Sequence, residues 1–548
     1  MTLNRRQAFA LAGAAALATP AAARTVQFSH GVASGDPLTD RVILWTRVAA
    51  ERDRTLTWQV AEDAGFARIA LQGAATAQAA RDGCVKVDVT GLQPGRDYWY
   101  RFECDGTPSP VGRTRTLPKG RLESLKLAVA TCALYAGGYF TAYRAIADLP
   151  QVDAVVHLGD YIYEYAAEGY GAETAYKLGR IPDPPHEIVT LADYRARHAQ
   201  AKADPDLQAA HARAPFIAVW DDHEVCNDTW RGGGENHQPD KEGSFDDRKA
   251  AALRAYYEWM PIREPSSKDL VTGIERAFRF GDLAELVMVE TRLGARDLQP
   301  DYGRDLMVDG KPDPKAFLAK WNDPGRQMLG PKQEAWLGRT LAASVKDGVT
   351  WQVIGNQVVM AHVKMPDLKG AMGETAWNAL LTRLPEEYKA PVMQAVGIAQ
   401  MKLPYNLDSW DGYPAARQRV YDLFTATRAR AIVLAGDSHA HWANDLLDRD
   451  GKRVGAEFGT TSITSPGFSD LLGTDTPVNE TFVKDNDGVV YTDHGAKGFI
   501  LLTLTHQGAT AEMMGVSTIL EPKAMAAVLK TLTVAPGADG GVGPVTAV

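Results

Sequence analysis

The sequence predicts a layered α/β core preceded by a small all-β sandwich. Three observations carry this reading. From Leu125 onward, short apolar runs of strand length alternate with segments of helical periodicity, the pattern of layered α/β structure. Residues 28–118 hold only short alternating strands separated by turns. Five of the apolar runs after Leu125 end in residue types that bind metal ions.

The chain has 548 residues, more than one simple core accommodates, so it reads as more than one domain. A formal net charge of −9 lacks the electrostatic footprint of a nucleic-acid binder, and no stable nucleic-acid complex is expected. Asn4-Arg5-Arg6-Gln7-Ala8-Phe9, the Ala-rich run to Ala18 and Ala21-Ala22-Ala23 form a charged region, an apolar region and a small-residue cleavage site. Residues 1–23 therefore read as a twin-arginine signal peptide, with the export machinery as partner and a periplasmic or secreted destination. No other apolar run is long enough to span a bilayer, so the mature form is expected to be soluble, and a monomer is expected.

In residues 28–118, Val42–Arg47, Thr55–Val60 and Val85–Val89 read as strands. Leu92-Gln93-Pro94-Gly95-Arg96-Asp97-Tyr98-Trp99-Tyr100-Arg101-Phe102 resembles the tyrosine-corner segment of fibronectin type III and immunoglobulin-like sandwiches. Cys84 and Cys104 flank one predicted hairpin and are the expected disulfide in an oxidising compartment. Cys226 is expected to be a buried free thiol. After a polar link at 119–124, the core is expected to run over 123–520. It holds helices at Phe140–Leu149, Leu191–Ala203 and Arg248–Trp259, and long insertions at 293–335 and 364–412 where specificity resides. Phe499–Thr505 reads as a final strand, Glu521–Leu532 as a closing helix, and 536–548 as a flexible tail.

The chemistry gathers at the ends of the five runs. Leu125–Thr131 ends in Cys132, Ala154–Leu158 in Gly159-Asp160-Tyr161-Ile162-Tyr163-Glu164, and Phe216–Trp220 in Asp221-Asp222-His223-Glu224. Trp351–Ile354 ends in Gly355-Asn356-Gln357, and Ala431–Ala435 in Gly436-Asp437-Ser438-His439-Ala440-His441. In an open α/β sheet the site lies outside the carboxyl ends of the strands, so these residues are expected to converge on one sheet edge. Packed together without cations they would repel and pay heavily in desolvation. Asp160 is the candidate bridge between cations, because a carboxylate offers two oxygens. Cys132 and Tyr163 suit ferric iron, Asp222 and Asp437 offer hard oxygen for calcium or magnesium, and His439 offers an imidazole near Asp437. His223 is placed to hydrogen-bond a phosphate oxygen or a leaving group. His157 reads as a core histidine; His362 and His441 are ambiguous, with approach to the metals the minority reading for His362 and support of a ligand one option for His441.

These motifs, with Ser462-Ile463-Thr464-Ser465-Pro466-Gly467, resemble the PhoD family of alkaline phosphatases and phosphodiesterases within the calcineurin-like metallophosphatases. The likeness covers most of residues 28–510. It implies an α/β metallophosphoesterase core with an N-terminal fibronectin- or immunoglobulin-like sandwich, and an exported enzyme hydrolysing phosphate mono- and diesters through a metal-bridged oxo or hydroxo nucleophile. It implies Fe3+ on Cys132, Asp160, Tyr163 and His439, and more than one Ca2+ on Asp160, Asp222 and Asp437, with Asn356 or Gln357 adding a ligand. His223 and Asp160 are the expected catalytic pair. The sequence departs from the expected pattern in the loop Ala133–Gly138 and at Glu290, where Asp is expected. Two alternatives stay open at this level: a phospholipase D-like specificity, and a polyanion-binding protein whose metal site is closed and structural.

Overall fold

The computed structural model describes residues 28–49, 51–267, 269–308 and 311–548. The predicted signal peptide over 1–23 lies outside them. The N-terminal domain contains β1 (Val32–Gly35), β2 (Arg41–Arg47), β3 (Arg54–Ala61), β4 (Ile69–Ala77), β5 (Cys84–Thr90), β6 (Asp97–Cys104), β7 (Thr107–Pro108) and β8 (Gly112–Arg115). They form the expected sandwich. One leaf is β4-β3-β6-β7 with β8 beside β6, and the other is β1-β2-β5. Strand β6 shows how the sequence dictates this. Its alternate residues Tyr98, Tyr100, Phe102 and Cys104 point inward and meet Val42, Leu44 and Val85 of the opposite leaf. The corner is closed by the Gln93 N–H, which donates to Tyr98 Oη at 2.9 Å.

The later strands are β9 (Leu125–Ala130), β10 (Ala154–His157), β11 (Phe216–Ala218), β12 (Arg276–Phe280), β13 (Ala284–Met288), a small hairpin of β14 (Met307–Val308) and β15 (Lys311–Pro312), and β16 (Trp351–Gly355). They continue with β17 (Ala431–Ala435), β18 (His441–Leu447), β19 (Arg453–Gly459), β20 (Val489–Asp493), β21 (Gly498–Leu504), β22 (Ala509–Val516), β23 (Ala526–Val534) and β24 (Thr546–Ala547). Two large mixed sheets result. The first runs β24-β23-β22-β21-β9-β10-β11-β1-β2-β5, and the second β12-β13-β16-β17-β19-β18-β20. The five ligand-bearing runs are therefore divided, three in the first sheet and two in the second, rather than meeting at the edge of one.

The period-2 alternation of β16 and β17 explains the layering. Val353, Ile432 and Leu434 join Leu127 and Val129 of the first sheet in one apolar cluster. Ile354, Val433 and Ala435 face the other way and pack with Leu337, Leu341, Val420 and Phe424 of the helices Gly330–Lys346 and Pro414–Thr427. The first sheet does not stop at the core. Strand β1 pairs in parallel with β11 at Gly35↔Phe216, so one leaf of the N-terminal sandwich extends the core sheet.

Three expectations about these elements are corrected. Cys84 and Cys104 are both free and buried. They do not flank one hairpin, because β5 and β6 lie in opposite leaves: Cys84 packs with Trp45 and Trp259 towards the core, and Cys104 lies inside the sandwich. The closing helix at Glu521–Leu532 is replaced by strand β23, since pairing along β22 from Val516↔Ala526 to Ala509↔Val534 overrides local helix propensity. The flexible tail is instead tied down: β24 pairs with β23, and the Val545 N–H donates to Asp445 Oδ1 at 3.0 Å. The insertion at 364–412 contains the helices Leu368–Arg383 and Glu386–Gln400.

The seam between sandwich and core is close-packed at Gly35, where an added Cβ would collide with the carbonyl oxygens of Pro261 and Phe216. Gly35→Ala is expected to destabilise the protein by about 1–3 kcal/mol, seen as a lowered urea midpoint. An unchanged midpoint would show that the two parts are not held by this junction.

Candidate metal centre

The site is assembled by three turns. After β9 the chain enters Cys132 with φ 57°, after β10 it enters Asp160 with φ 55°, and after β17 it passes through Asp437 (φ 64°) and His439 (φ 54°). Four predicted ligands thus sit in the left-handed region, which non-glycine residues rarely adopt and which concentrates at functional sites. The turns are stitched to one another. The Cys132 N–H donates to Gly159 O at 3.3 Å, and the Ala133 N–H to Asp160 O at 2.8 Å. Gly159 has φ 108°, and any Cβ there would strike the backbone of Asp221. Glu224 then fixes two turns at once: its buried carboxylate accepts the N–H groups of Asp160 at 3.0 Å, Tyr161 at 2.7 Å and Asp221 at 2.8 Å.

The side chains converge in three overlapping groups: Cys132, Asp160 and His439; Asp160, Asp222 and His223; and Asp221, Asp222 and Asp437. In each, one ligand atom per residue lies within 4.8 Å of the others. Asp160 is shared by the first two and Asp222 by the last two, so Asp160 stands between the thiol and imidazole on one side and the carboxylates on the other. Tyr163 Oη donates to Asp160 Oδ2 at 3.0 Å and lies 3.4 Å from His439 Nε2. His439 Nδ1 lies 2.7 Å from Pro466 O, which places the proton on Nδ1 and leaves the Nε2 lone pair facing the cluster.

The donor set fits cations. Asp160 Oδ1 and Asp221 Oδ2 are buried without a hydrogen-bond partner among the described residues. Asp222 Oδ1 also lacks a hydrogen bond and has Arg292 Nη2 at 3.3 Å. Unpaired buried carboxylate oxygens are costly. Burial pushes the Asp160 and Asp437 carboxyls well above the usual carboxylate range, and neighbouring carboxylates add to the shift. Burial, with Asp160 beside it, raises the Cys132 thiol well above its ordinary value. A bound cation reverses this logic and deprotonates its ligands.

Asn356 is the predicted ligand that does not join the group. It is buried, but its Oδ1 accepts from Trp410 Nε1 at 3.0 Å and its Nδ2 donates to Val358 O, so its amide is spent on structure. Neighbouring Gln357 is likewise held, by Thr291 Oγ1 and Val289 O. His362 does not approach the cluster; it pairs with Asp411 at 2.7 Å in a separate surface cleft. His157 is the expected core histidine, with Tyr143 Oη 2.7 Å from Nε2. His441 is buried against Met514 O and the Thr461 N–H rather than behind a ligand.

His223 is more firmly held than the sequence suggested. Its Nδ1 lies 2.7 Å from Glu164 Oε2, and its Nε2 lies 4.0 Å from Asp222 Oδ2. Burial alone would lower its pKa, but Asp222, Glu164 and Asp160 outweigh burial and hold the imidazole well above the ordinary histidine range. Glu164 is itself fixed by the Asn227 N–H at 2.7 Å and Asn236 Nδ2 at 2.9 Å.

Sequence reasoning assigned no role to Glu164, Glu224 or Arg292. Arg292 is fully buried and contacts Asp221 through Nε, Asp408 through Nη1 at 2.7 Å, and Asp437 through Nη2 at 3.0 Å. The signal was present, since Glu164 and Glu224 end the runs Gly159–Glu164 and Asp221–Glu224, and Arg292 stands two residues after Glu290. Only their partners were missing.

Comparisons with known proteins place the whole chain in one family. A family model described as PhoD-like phosphatase matches residues 127–513, and one described as the PhoD-like phosphatase N-terminal domain matches residues 13–118. The chain is 35% identical over 521 residues to alkaline phosphatase D of Bacillus subtilis (strain 168), covering 91% of this chain and 79% of that protein. It also superposes on the solved structure of PhoD with a TM-score of 0.76 and 32% identity, covering 95% of this chain and 92% of that one.

Removing Arg292 leaves carboxylates buried without their guanidinium. Arg292→Met is expected to cost the metal-stripped protein about 3–5 kcal/mol, read as a lowered melting temperature in chelator. Added divalent cation should narrow the gap to the parent, and a gap that cation leaves untouched would refute a charge-compensating role.

Proposed function

Because the chain belongs to the PhoD-like phosphatase family, we propose that it is an exported, metal-dependent hydrolase of phosphate mono- and diesters, of the alkaline phosphatase and phosphodiesterase type. The observation that carries this reading is the convergence of unpartnered buried carboxylate oxygens beside a thiol, a phenol and an imidazole. Cys132, Asp160, Tyr163 and His439 would hold Fe3+, because an anionic thiolate and phenolate donate charge strongly and suit ferric iron better than magnesium. Asp160, Asp222 and Asp437 would hold Ca2+, which takes hard oxygen. When bound, these cations supply Lewis acidity toward the phosphoryl oxygens and the attacking water.

The chain's own residues supply position and a proton. Asp160 stands between the two ligand sets and keeps them at a fixed spacing. The Glu164 carboxylate accepts from His223 Nδ1 and orients the ring, so Nε2 carries its proton toward the Asp222 side of the site. A proton there is placed for transfer to the departing alcohol oxygen. Arg292 offsets the charge of Asp221 and Asp437 and so lowers the repulsion an anionic ester would meet at the site. Asp437 and His439 are themselves partly exposed to solvent, and a polar cavity of 530 Å³ nearby is lined by Asp228 and Asp408. Asp228 donates its N–H to Asp222 Oδ2 at 2.7 Å, so the cavity abuts the ligands. Such access favours catalysis over a closed, structural site. Export rests on the Arg5-Arg6 leader. Among the described residues no helix is long and apolar enough to cross a membrane.

The reading is tested by metal analysis of the purified protein together with turnover of a chromogenic monoester and diester. Cys132→Ser should weaken iron binding and any visible charge-transfer colour, because a hydroxyl replaces a thiolate poorly. Unchanged iron content and spectrum would reject the ligand assignment. Asp160→Asn should abolish turnover and disturb both metals, whereas Asp437→Asn should lose calcium first and recover with excess calcium. Equal loss of both metals in the two variants would defeat the division of ligands.

Glu164→Gln isolates the proton step. With metal content preserved, kcat should fall by roughly 10²–10⁴-fold, the usual contribution of a positioned acid or base. A near-parental kcat would remove His223 from the proton path.

A further inference from the structure

A cleft of 770 Å³ lies apart from the metal centre, and none of the proposed ligands lines it. Part of its lining is cationic: His362, Lys364 and Arg417. The helix Pro414–Thr427 begins in the same wall, and the residue before it, Tyr413, makes no side-chain capping hydrogen bond, so the first turn keeps N–H groups to offer.

Two of the cations lean on one buried acid. Asp411 is 1% exposed and stands behind the lining. Its Oδ1 accepts from His362 Nδ1 at 2.7 Å and from Arg417 Nη1, and its Oδ2 accepts the Val363 N–H at 2.8 Å. Burial alone would raise the Asp411 carboxyl, but Arg417 and His362 outweigh burial and hold it below the usual carboxylate range. Among the described residues Arg417 bonds through Nη1 alone, and His362 through Nδ1 alone. Lys364 is anchored by its backbone N–H to Asn486 Oδ1 at 2.7 Å, and its ammonium takes no ion pair among the described residues. A guanidinium edge, an imidazole Nε2 and an ammonium are thus left facing one cleft, a donor set suited to a compact oxyanion.

The carboxylates of the cleft are mostly engaged within their own elements. Asp445 pairs with Arg453 at 2.9 Å and accepts the Val545 N–H. Asp448 accepts the N–H groups of Asp450 and Lys452 in its own turn, and Asp422 accepts from Gln418 Nε2 at 2.8 Å. Their charge, with that of Asp487, opposes a long polyanion laid along the whole cleft and leaves room for a small anion at the cationic part.

The same acid connects the cleft to the metal centre. Asp411 lies in the short turn Trp410–Gly412, three residues after Asp408. Asp408 Oδ2 accepts from Arg292 Nη1 at 2.7 Å, and Asp408 O accepts from Arg296 Nη2 at 2.7 Å. Between the two acids, Trp410 Nε1 donates to Asn356 Oδ1 at 3.0 Å and fixes the turn to the end of β16. Arg292 in turn contacts Asp221 and Asp437. An anion that competes with Asp411 for Arg417 and His362 loosens one end of a turn whose other end positions Arg292.

We propose that this cleft is a second phosphate site, which takes inorganic phosphate on Arg417, His362 and Lys364 and is felt at the metal centre through the turn Asp408–Asp411. Its role rests on the phosphoesterase reading: the phosphate released from a monoester would slow the enzyme from outside its active site.

The test uses the metal-loaded full-length protein. Equilibrium dialysis with labelled inorganic phosphate counts sites in the parent and in His362→Gln and Lys364→Met, which leave the proposed metal ligands and Arg292 in place. Each variant should bind one phosphate fewer per chain than the parent, or bind it about tenfold more weakly, the loss of one charge-assisted hydrogen bond. Only the difference is read, so the result holds whether or not the metal centre itself retains phosphate. Equal counts and affinities in the parent and both variants would overturn the inference. Inhibition of bis-p-nitrophenyl phosphate turnover reads the connection. Inorganic phosphate should lower kcat and raise KM in the parent, and should only raise KM in the variants. Purely competitive inhibition in the parent would overturn the link through the turn. Loss of the variant-sensitive phosphate without any turnover in the parent would instead count against the phosphoesterase reading and leave the site standing.

Discussion

The structure depends on a constraint that no apolar core can meet: carboxylates crowded together out of water. Asp160, Asp221 and Asp222 are almost wholly buried, and Asp437 lies close beside them. Like charges at this spacing shift toward protonation or require opposite charge nearby. Arg292 supplies part of that charge from within the chain. The oxygens of Asp160 and Asp221 that Arg292 leaves unpartnered are the donors a bound cation would take up.

Holding the ligands in place takes strained backbone and a supporting frame. Left-handed conformations at Cys132, Asp160, Asp437 and His439 are of order 1–3 kcal/mol each. They persist because the turns are cross-linked, by Glu224 between the ends of β10 and β11 and by Pro466 against His439. The frame is the pair of sheets, whose facing sides share one apolar cluster. Large-to-small changes in that cluster are felt at the site, because a close-packed interior transmits displacement rather than absorbing it. The N-terminal sandwich belongs to the same frame through β1 and β11.

Around this rigid centre the chain divides by polarity. One cavity is lined by Asp228, Asp408 and Arg304 and another by aliphatic and aromatic side chains, with Tyr405 between them. The two insertions that contribute most of these walls lie outside the sheets, and loops held on a rigid scaffold commonly decide which substrate is accepted.

Much of this was legible in the sequence, for identifiable reasons. Apolar runs ending in Cys132, Asp160, Asp222 and Asp437 announced both the layered α/β core and the acidic and thiol groups that converge beside it, because strand periodicity and side-chain chemistry are local properties of residues. The tyrosine corner was legible for the same reason, since Tyr98 reaches only as far as Gln93. What the sequence left undecided is what depends on partners far along the chain. Cys84 and Cys104 are close in sequence yet lie in opposite leaves, and the segment after Glu521 becomes a strand only because β22 offers it an edge. Asn356 stands in a ligand motif, but Trp410 claims its amide. Arg292 gains its role only when Asp221, Asp408 and Asp437, brought from three other segments, close around it. Local pattern set the elements and the chemistry of their ends. Long-range pairing and burial decided which of those groups share one dry site, because the electrostatic cost of burying a charge is fixed by its neighbours in space.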